Sequence, residues 1–193
     1  MVNVLFLDIP QERIGVLIGK NGEVKKRLEE AAGVKIHVQT DGLIKVEYGT
    51  DNPEIYFKLK KIAEAISCGF SGEDALSLLD DGVVLRKIDL RDFANESSER
   101  LKTLKGRIIG SGGKIWKKIE KLADVKIAIY NYSVGIIGSE ENCEIAYRTI
   151  IKILEGSQFN TVFRYLETRR KALEKGLWTS RSEVREDEFR GEV

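Results

Sequence analysis

Hydrophobic and polar positions along the 193-residue chain fall into two similar successions of short patterns. Val2 to Asp8 reads as a strand. Pro10 with Gln11-Glu12 opens a brief helix that stops at Gly19, because proline suits the first helical turn and acids suit its positive end. Glu23 to Ala32 carries Val24, Leu28 and Ala31/Ala32 at helical spacing, and Gly33 is a suitable C-terminal cap. Val34, Ile36 and Val38 alternate with Lys35, His37 and Gln39, the pattern of a half-buried strand. Asp41-Gly42 signals a hairpin turn into a strand from Ile44 to Tyr48. Asn52-Pro53 opens a long helix with Ile55, Leu59, Ile62, Ala63 and Ile66 on one face. Ser71 to Leu79 reads as an added helix, and Asp80-Asp81-Gly82 as a domain junction.

The second succession starts with a strand at Val83 to Leu90 and a longer helix from Asn95 to Ile108, capped by Asn95 or Ser97. A helix at Lys114 to Leu122, strands at Val125 to Tyr130 and Val134 to Ile137, and a helix through Ile153 follow. Ser157 to Lys175 forms a last helix with Val162, Phe163, Leu166 and Leu173 apolar. Residues 179–193, charged and nearly devoid of apolar positions, predict a disordered tail.

Each succession contains a glycine-bracketed loop, Ile18-Gly19-Lys20-Asn21-Gly22 and Ile109-Gly110-Ser111-Gly112-Gly113, 91 residues apart. At that separation Leu17-Ile18 falls on Ile108-Ile109, Val24 on Ile115, Leu28 on Ile119, and Val34-Lys35-Ile36 on Val125-Lys126-Ile127. Val46 then meets Ile137, and Ile62 meets Ile153. A shared apolar phase of this extent predicts one supersecondary unit duplicated; two copies are too few for a stacked array. The fold class is α+β, with a first domain over residues 1–80 and a second over 81–178.

Charge changes this picture locally rather than in total. The net charge is +1, yet Glu99 to Lys121 holds eight basic residues against two acids, whereas Ser71 to Ser98 holds seven acids against three bases. Cys68 and Cys143 lie in helical patterns without metal-ligand spacing, which predicts packed, reduced thiols. No basic leader precedes the Val4 to Leu7 run and no stretch approaches membrane-spanning length, so the expected location is the cytoplasm.

The loops carry the candidate chemistry. A helix N-terminus exposes unpaired backbone N–H groups and partial positive charge, and glycines let a sugar-phosphate strand approach without meeting a Cβ. Candidate RNA-binding residues are Gly19, Lys20, Asn21, Gly22 and Lys25 in the first unit. In the second they are Arg107, Gly110, Ser111, Gly112, Gly113, Lys114 and Lys117. A nucleotide-binding P-loop is excluded: Ile108 stands where its first glycine belongs, and Ile115 where Ser or Thr should bind magnesium. The basic run reads either as a phosphate-contacting surface or as a solvated helical face. Trp116, Tyr130 and Tyr132 could stack on bases or pack internally, and Arg169-Arg170-Lys171 could touch RNA or decorate the last helix. No carboxylate pair, metal cluster or activated nucleophile stands out, so neither an enzyme nor a cofactor is expected.

Both loops with their flanks, Ile18 to Val24 and Ile109 to Ile115, resemble the signature of the KH domain, and the element order βααββα matches its type I topology. KH loops clamp about four nucleotides of single-stranded nucleic acid. A longer resemblance runs through Gly69-Phe70-Ser71, Ala75 to Asp81, Gly106 to Gly110, Ile136-Ile137-Gly138 and Gly156 to Val162 into Leu166-Glu167 and Arg169-Arg170. These residues are similar to archaeal members of the partner-of-Nob-one family, two-KH proteins of ribosome assembly. That resemblance implies binding to the 3′ region of small-subunit rRNA and assistance to the Nob-one-type endonuclease that matures it. Ser111-Gly112 departs from the family in lacking the lysine common in such loops, while eukaryotic relatives tend to lose the first loop, which is intact here. Alternatives are a general single-stranded RNA or mRNA regulator, and a scaffold docking a nuclease or a translation initiation factor.

Overall fold

The computed structural model describes residues 2–39, 43–49, 54–94 and 97–176. The first unit comprises β1 (Val2–Leu7), α1 (Ile14–Ile18), α2 (Glu23–Ala32), β2 (Lys35–Val38), β3 (Ile44–Gly49) and α3 (Glu54–Ser67), followed by a short α4 (Gly72–Leu76). The second comprises β4 (Val83–Asp89), a four-residue α5 (Arg91–Ala94), α6 (Ser98–Ile109), α7 (Lys114–Ala123), β5 (Lys126–Tyr130), β6 (Ser133–Ser139), α8 (Glu140–Leu154) and α9 (Phe159–Glu174). Both sheets are antiparallel and three-stranded, ordered β1-β3-β2 and β4-β6-β5, so the βααββα unit occurs twice in an α+β fold.

Local chemistry sets the helix ends. Ser97 Oγ accepts from the Arg100 amide at 3.3 Å and caps α6; Asn95, the other expected cap, lies outside the described residues. Gly33 closes α2 in the left-handed region at φ 65°, and Asp124 does the same for α7 at φ 54°. The expected helix from Ser71 to Leu79 divides into α4 and a 3-10 turn at Ser77–Leu79, and α5 has no counterpart in the hydrophobic pattern. Asp41-Gly42, Asn52-Pro53, Trp178 and the 179–193 tail also lie outside the described residues.

The repeat does not keep a constant separation. Ile36 pairs with Val46 across β2 and β3, and Ile127 pairs with Ile136 across β5 and β6, so the partner of Val46 is Ile136 rather than Ile137. One residue of slip reverses the face a side chain points to. Ile136 accordingly enters the second core, while Ile137 joins the apolar cluster of the first unit. At the ends of α3 and α8 the separation is 87. The Phe70 amide donates to Ala65 O at 3.2 Å and the Ser157 amide to Lys152 O at 3.0 Å, with Gly69 at φ 105° and Gly156 at φ 100°. Ile62 therefore corresponds to Thr149, and its match to Ile153 arises because a four-residue shift returns to the same helical face.

The two units share a buried interface. Leu85, Ala128 and Ile137, on the outer face of the second sheet, pack into one cluster with Ile66, Phe70, Leu76 and Leu78. Backbones approach closely: a Cβ on Gly135 would lie 2.5 Å from Phe70 Cε2, and one on Gly69 would lie 2.7 Å from Tyr130 Cβ. Arg13 donates to Ile66 O at 3.0 Å and to Phe70 O at 2.5 Å, and its guanidinium sits 5.3 Å over the Tyr130 ring. The Tyr130 hydroxyl donates to Glu12 at 3.0 Å, which marks Tyr130 as a packing residue of this interface.

Both cysteines are free and buried, and burial pushes the Cys68 thiol up to about 11 and the Cys143 thiol up to about 12. Both stay protonated near neutrality, and the thiolate is the reactive form. Native protein at pH 8 is expected to resist a thiol-specific aromatic disulfide and to react at both cysteines in denaturant. Rapid native labelling of Cys68, which faces Gly135, would report separation of the two units.

Candidate nucleic-acid interface

The two loops share one backbone conformation. Gly19, Asn21 and Gly22 have φ of 72°, 54° and 79°; Gly110, Gly112 and Gly113 have 70°, 60° and 74°. Left-handed backbone costs an L-residue roughly 1–2 kcal/mol, and Asn tolerates it best, which accounts for Asn21 standing where the second loop has Gly112. The first glycine of each loop meets a second constraint. A Cβ on Gly19 would lie 2.5 Å from Val24 Cγ2, and one on Gly110 would lie 2.4 Å from Ile115 Cγ1. A Cβ on Gly22 would meet nothing within 4 Å, so the last glycine keeps open the space in front of the helix.

That space is lined by donors. Neither α2 nor α7 has a side-chain cap at its N-terminus: the Glu23 and Lys114 amides turn back onto Lys20 O and Ser111 O, and no side chain offsets the positive end of either helix. Lys20, Asn21, Ser111, Gly112, Lys114 and Lys117 are exposed around them. Below each loop, helix and edge strand are joined by one device: Glu29 Oε1 accepts from the Ile36 amide at 2.7 Å, and Glu120 Oε1 from the Ile127 amide at 2.8 Å. These bonds tie α2 to β2 and α7 to β5 beside the loops.

Electrostatics distinguishes the two sites. On α2 every cation has a carboxylate: Lys25 pairs with Glu29 at 3.2 Å, Lys26 with Glu30 at 3.7 Å, and Arg27 with Glu73. On α7, Lys114, Lys117, Lys118 and Lys121 have no carboxylate within 4 Å among the described residues. The second loop, lacking an internal lysine, is therefore flanked by uncompensated charge, whereas the charge beside Lys20 is largely neutralised.

The structure brings the loop residues, Lys114 and Lys117 together but commits two other candidates within the fold. Lys25 is half-buried in its ion pair, and Arg107 donates to Ser157 O at 3.2 Å on the side of α9. Trp116, at the position equivalent to Lys25, is partly buried against the second core. Tyr132 lies under Arg91, 3.9 Å from ring centroid to guanidinium carbon. Arg169 is buried against Tyr165, and Arg170 donates to Asn142 Oδ1 at 3.2 Å, so this pair secures α9. Lys118 and Lys121, part of the basic run, stand on the same side of α7 as Lys114, a placement that their helical spacing signals in the sequence.

Comparisons with known proteins agree with this architecture. Residues 84–171 match a model of the second KH domain of PNO1, described as a eukaryotic type KH domain of type I, and residues 4–55 match the KH domain model. The chain is 37% identical to the KH domain-containing protein MJ0443 of Methanocaldococcus jannaschii over 95% of its own length and 83% of that protein. It is 27% identical to the RNA-binding protein pno1 of Drosophila pseudoobscura pseudoobscura, matching 65% of this chain but spanning only 54% of that longer protein. Among solved structures, a chain of the a/eIF2alpha–aDim2p–rRNA complex from Pyrococcus horikoshii OT3 superposes with a TM-score of 0.78 at 35% identity, covering 88% of this chain and 95% of that one. With both KH units present and this similarity sustained along nearly its whole length, the chain belongs to the archaeal two-KH branch of the partner-of-Nob-one, or Dim2-like, family.

Proposed function

We propose that the chain is a non-catalytic RNA-binding factor of small ribosomal subunit assembly, one that holds single-stranded RNA near the 3′ end of small-subunit rRNA. The observation that carries this reading is the pair of loops with one shared backbone conformation, each leading into a helix N-terminus that no side chain caps. A helix end of this kind attracts phosphate, and a KH unit holds unstacked bases alongside. Gly19, Lys20, Asn21 and Gly22 hold one backbone segment and Gly110, Ser111, Gly112 and Gly113 another, with Lys114 and Lys117 supplying long-range attraction to the second. Lys25 and Arg107 act by holding the elements around the loops in place. The presence of rRNA in the complex of the Pyrococcus relative supports the choice of RNA.

Held in this way, the RNA 3′ region is presented to a partner nuclease of the Nob-one type. The a/eIF2alpha in the same complex supports a translation initiation factor as a second protein partner. Fluorescence anisotropy against a single-stranded oligonucleotide of the small-subunit rRNA 3′ end tests the reading. That oligonucleotide is expected to bind at least about tenfold tighter than a shuffled one, a difference of about 1.4 kcal/mol. Equal affinity would favour the general single-stranded RNA regulator.

A further inference from the structure

Outside the groove, the second unit carries a surface whose counterpart in the first is chemically different. Lys118 on α7 corresponds to Arg27 on α2 at the separation of 91 that holds through these helices, and α9 packs on α7 as α4 packs on α2. In the first unit Arg27 is neutralised by Glu73 of α4. In the second, Lys118 Nζ lies 4.0 Å from the centroid of Phe163. Phe163 stacks on Phe159 at 6.5 Å with 25° between the planes, and the Arg107 guanidinium sits 5.8 Å from the Phe159 centroid on α9. The result is a ladder of cation, ring, ring and cation.

Phe163 is buried within this ladder, but Phe159 keeps 36% of its surface open to solvent. Arg107 is held by Ser157 O, while its Nε is buried and has no hydrogen-bond partner among the described residues. Lys114 and Lys121 share the outer face of α7 with Lys118 and extend the charge from the loop toward α9. An exposed ring set beside fixed, carboxylate-free cations is the combination that holds a single nucleic-acid strand: bases stack on the aromatic face and phosphates sit on the ammonium groups.

We infer that RNA leaving the second loop continues across the outer face of α7, with one base packed against the open edge of the Phe159 ring and the neighbouring phosphates on Lys114 and Lys118. This inference rests on the RNA-binding reading and adds a contact outside the KH groove. The test compares single-stranded oligonucleotides of about four nucleotides, the span of one groove, and about ten, binding to the full chain and to F159A, F159Y and K118Q.

F159A is expected to weaken the longer oligonucleotide on the order of tenfold and leave the shorter one unchanged, while F159Y keeps the affinity for both. K118Q is expected to lower the salt slope for the longer oligonucleotide by about 0.7. Unchanged binding of the longer oligonucleotide by F159A, or an equal loss on both lengths, overturns the extended track. Failure of both oligonucleotides to bind the unaltered chain overturns the RNA-binding reading itself.

Discussion

Placing an acid in both loops, with Lys20→Asp in the first and Ser111→Asp in the second, lowers affinity for single-stranded RNA by roughly 10²- to 10⁴-fold. The estimate takes one charge-assisted contact of about 1.5–3 kcal/mol lost at each loop and adds the two. Neither position has positive φ, so the aspartates fit the existing turn and thermal unfolding should barely shift. Gly112→Asp would be a poorer probe, since left-handed backbone adds roughly 1–2 kcal/mol of its own. The two single variants are expected to differ. S111D places its carboxylate among uncompensated lysines of α7 and should lose more affinity than K20D, with the larger change in salt dependence. Equal losses would contradict the electrostatic asymmetry of the two sites.

The largest effect on stability is expected at the interface between units. Phe70 is 2% exposed, with its ring edge over the Gly135 backbone and its carbonyl held by Arg13. Phe70→Ala should cost about 3–5 kcal/mol in denaturant unfolding, the usual range for a buried phenylalanine. Gly135→Ala probes the same contact from the other side. Its Cβ would fall 2.5 Å from Phe70 Cε2 and 3.0 Å from Cys68 Cβ, so overpacking should cost roughly 1–3 kcal/mol. In both variants the Cys68 thiol should become reactive under native conditions. A stable F70A with Cys68 still protected would mean that the units are held by other contacts.

Most of the fold was legible because the pattern is local. The spacing of Val24 and Leu28, the alternation of Ile36 and Val38, and the bracketing glycines each encode one element and its ends. The interface between units was not, since Leu85, Ala128 and Ile137 look like ordinary strand residues and only the partner surface around Phe70 explains their burial. The apolar matches of Val46 with Ile137 and Ile62 with Ile153 illustrate how pattern misleads. The first pairs residues on opposite faces, both buried because the second sheet is covered on both sides; the second is one helical turn out of step.

At the site, the glycines were legible because left-handed backbone demands them or Asn. The fates of Lys25 and Arg107 were not, because ion pairing with Glu29 and donation to Ser157 O depend on how α2 and α9 pack. The sequence shows Lys20 inside one loop and no lysine inside the other, which makes the first look the stronger anchor. Packing alters that reading, since Arg27 meets Glu73 whereas Lys118 meets Phe163.

The central claim is that the backbone amides around both loops hold RNA phosphates. The most direct test is amide NMR of the full chain during titration with a small-subunit rRNA 3′-end oligonucleotide. The amides of Gly19 to Val24 and of Gly110 to Ile115 are expected to show the largest shifts, moving together as the RNA saturates. Saturable binding that leaves both sets of amides in place while shifting residues elsewhere would contradict the account.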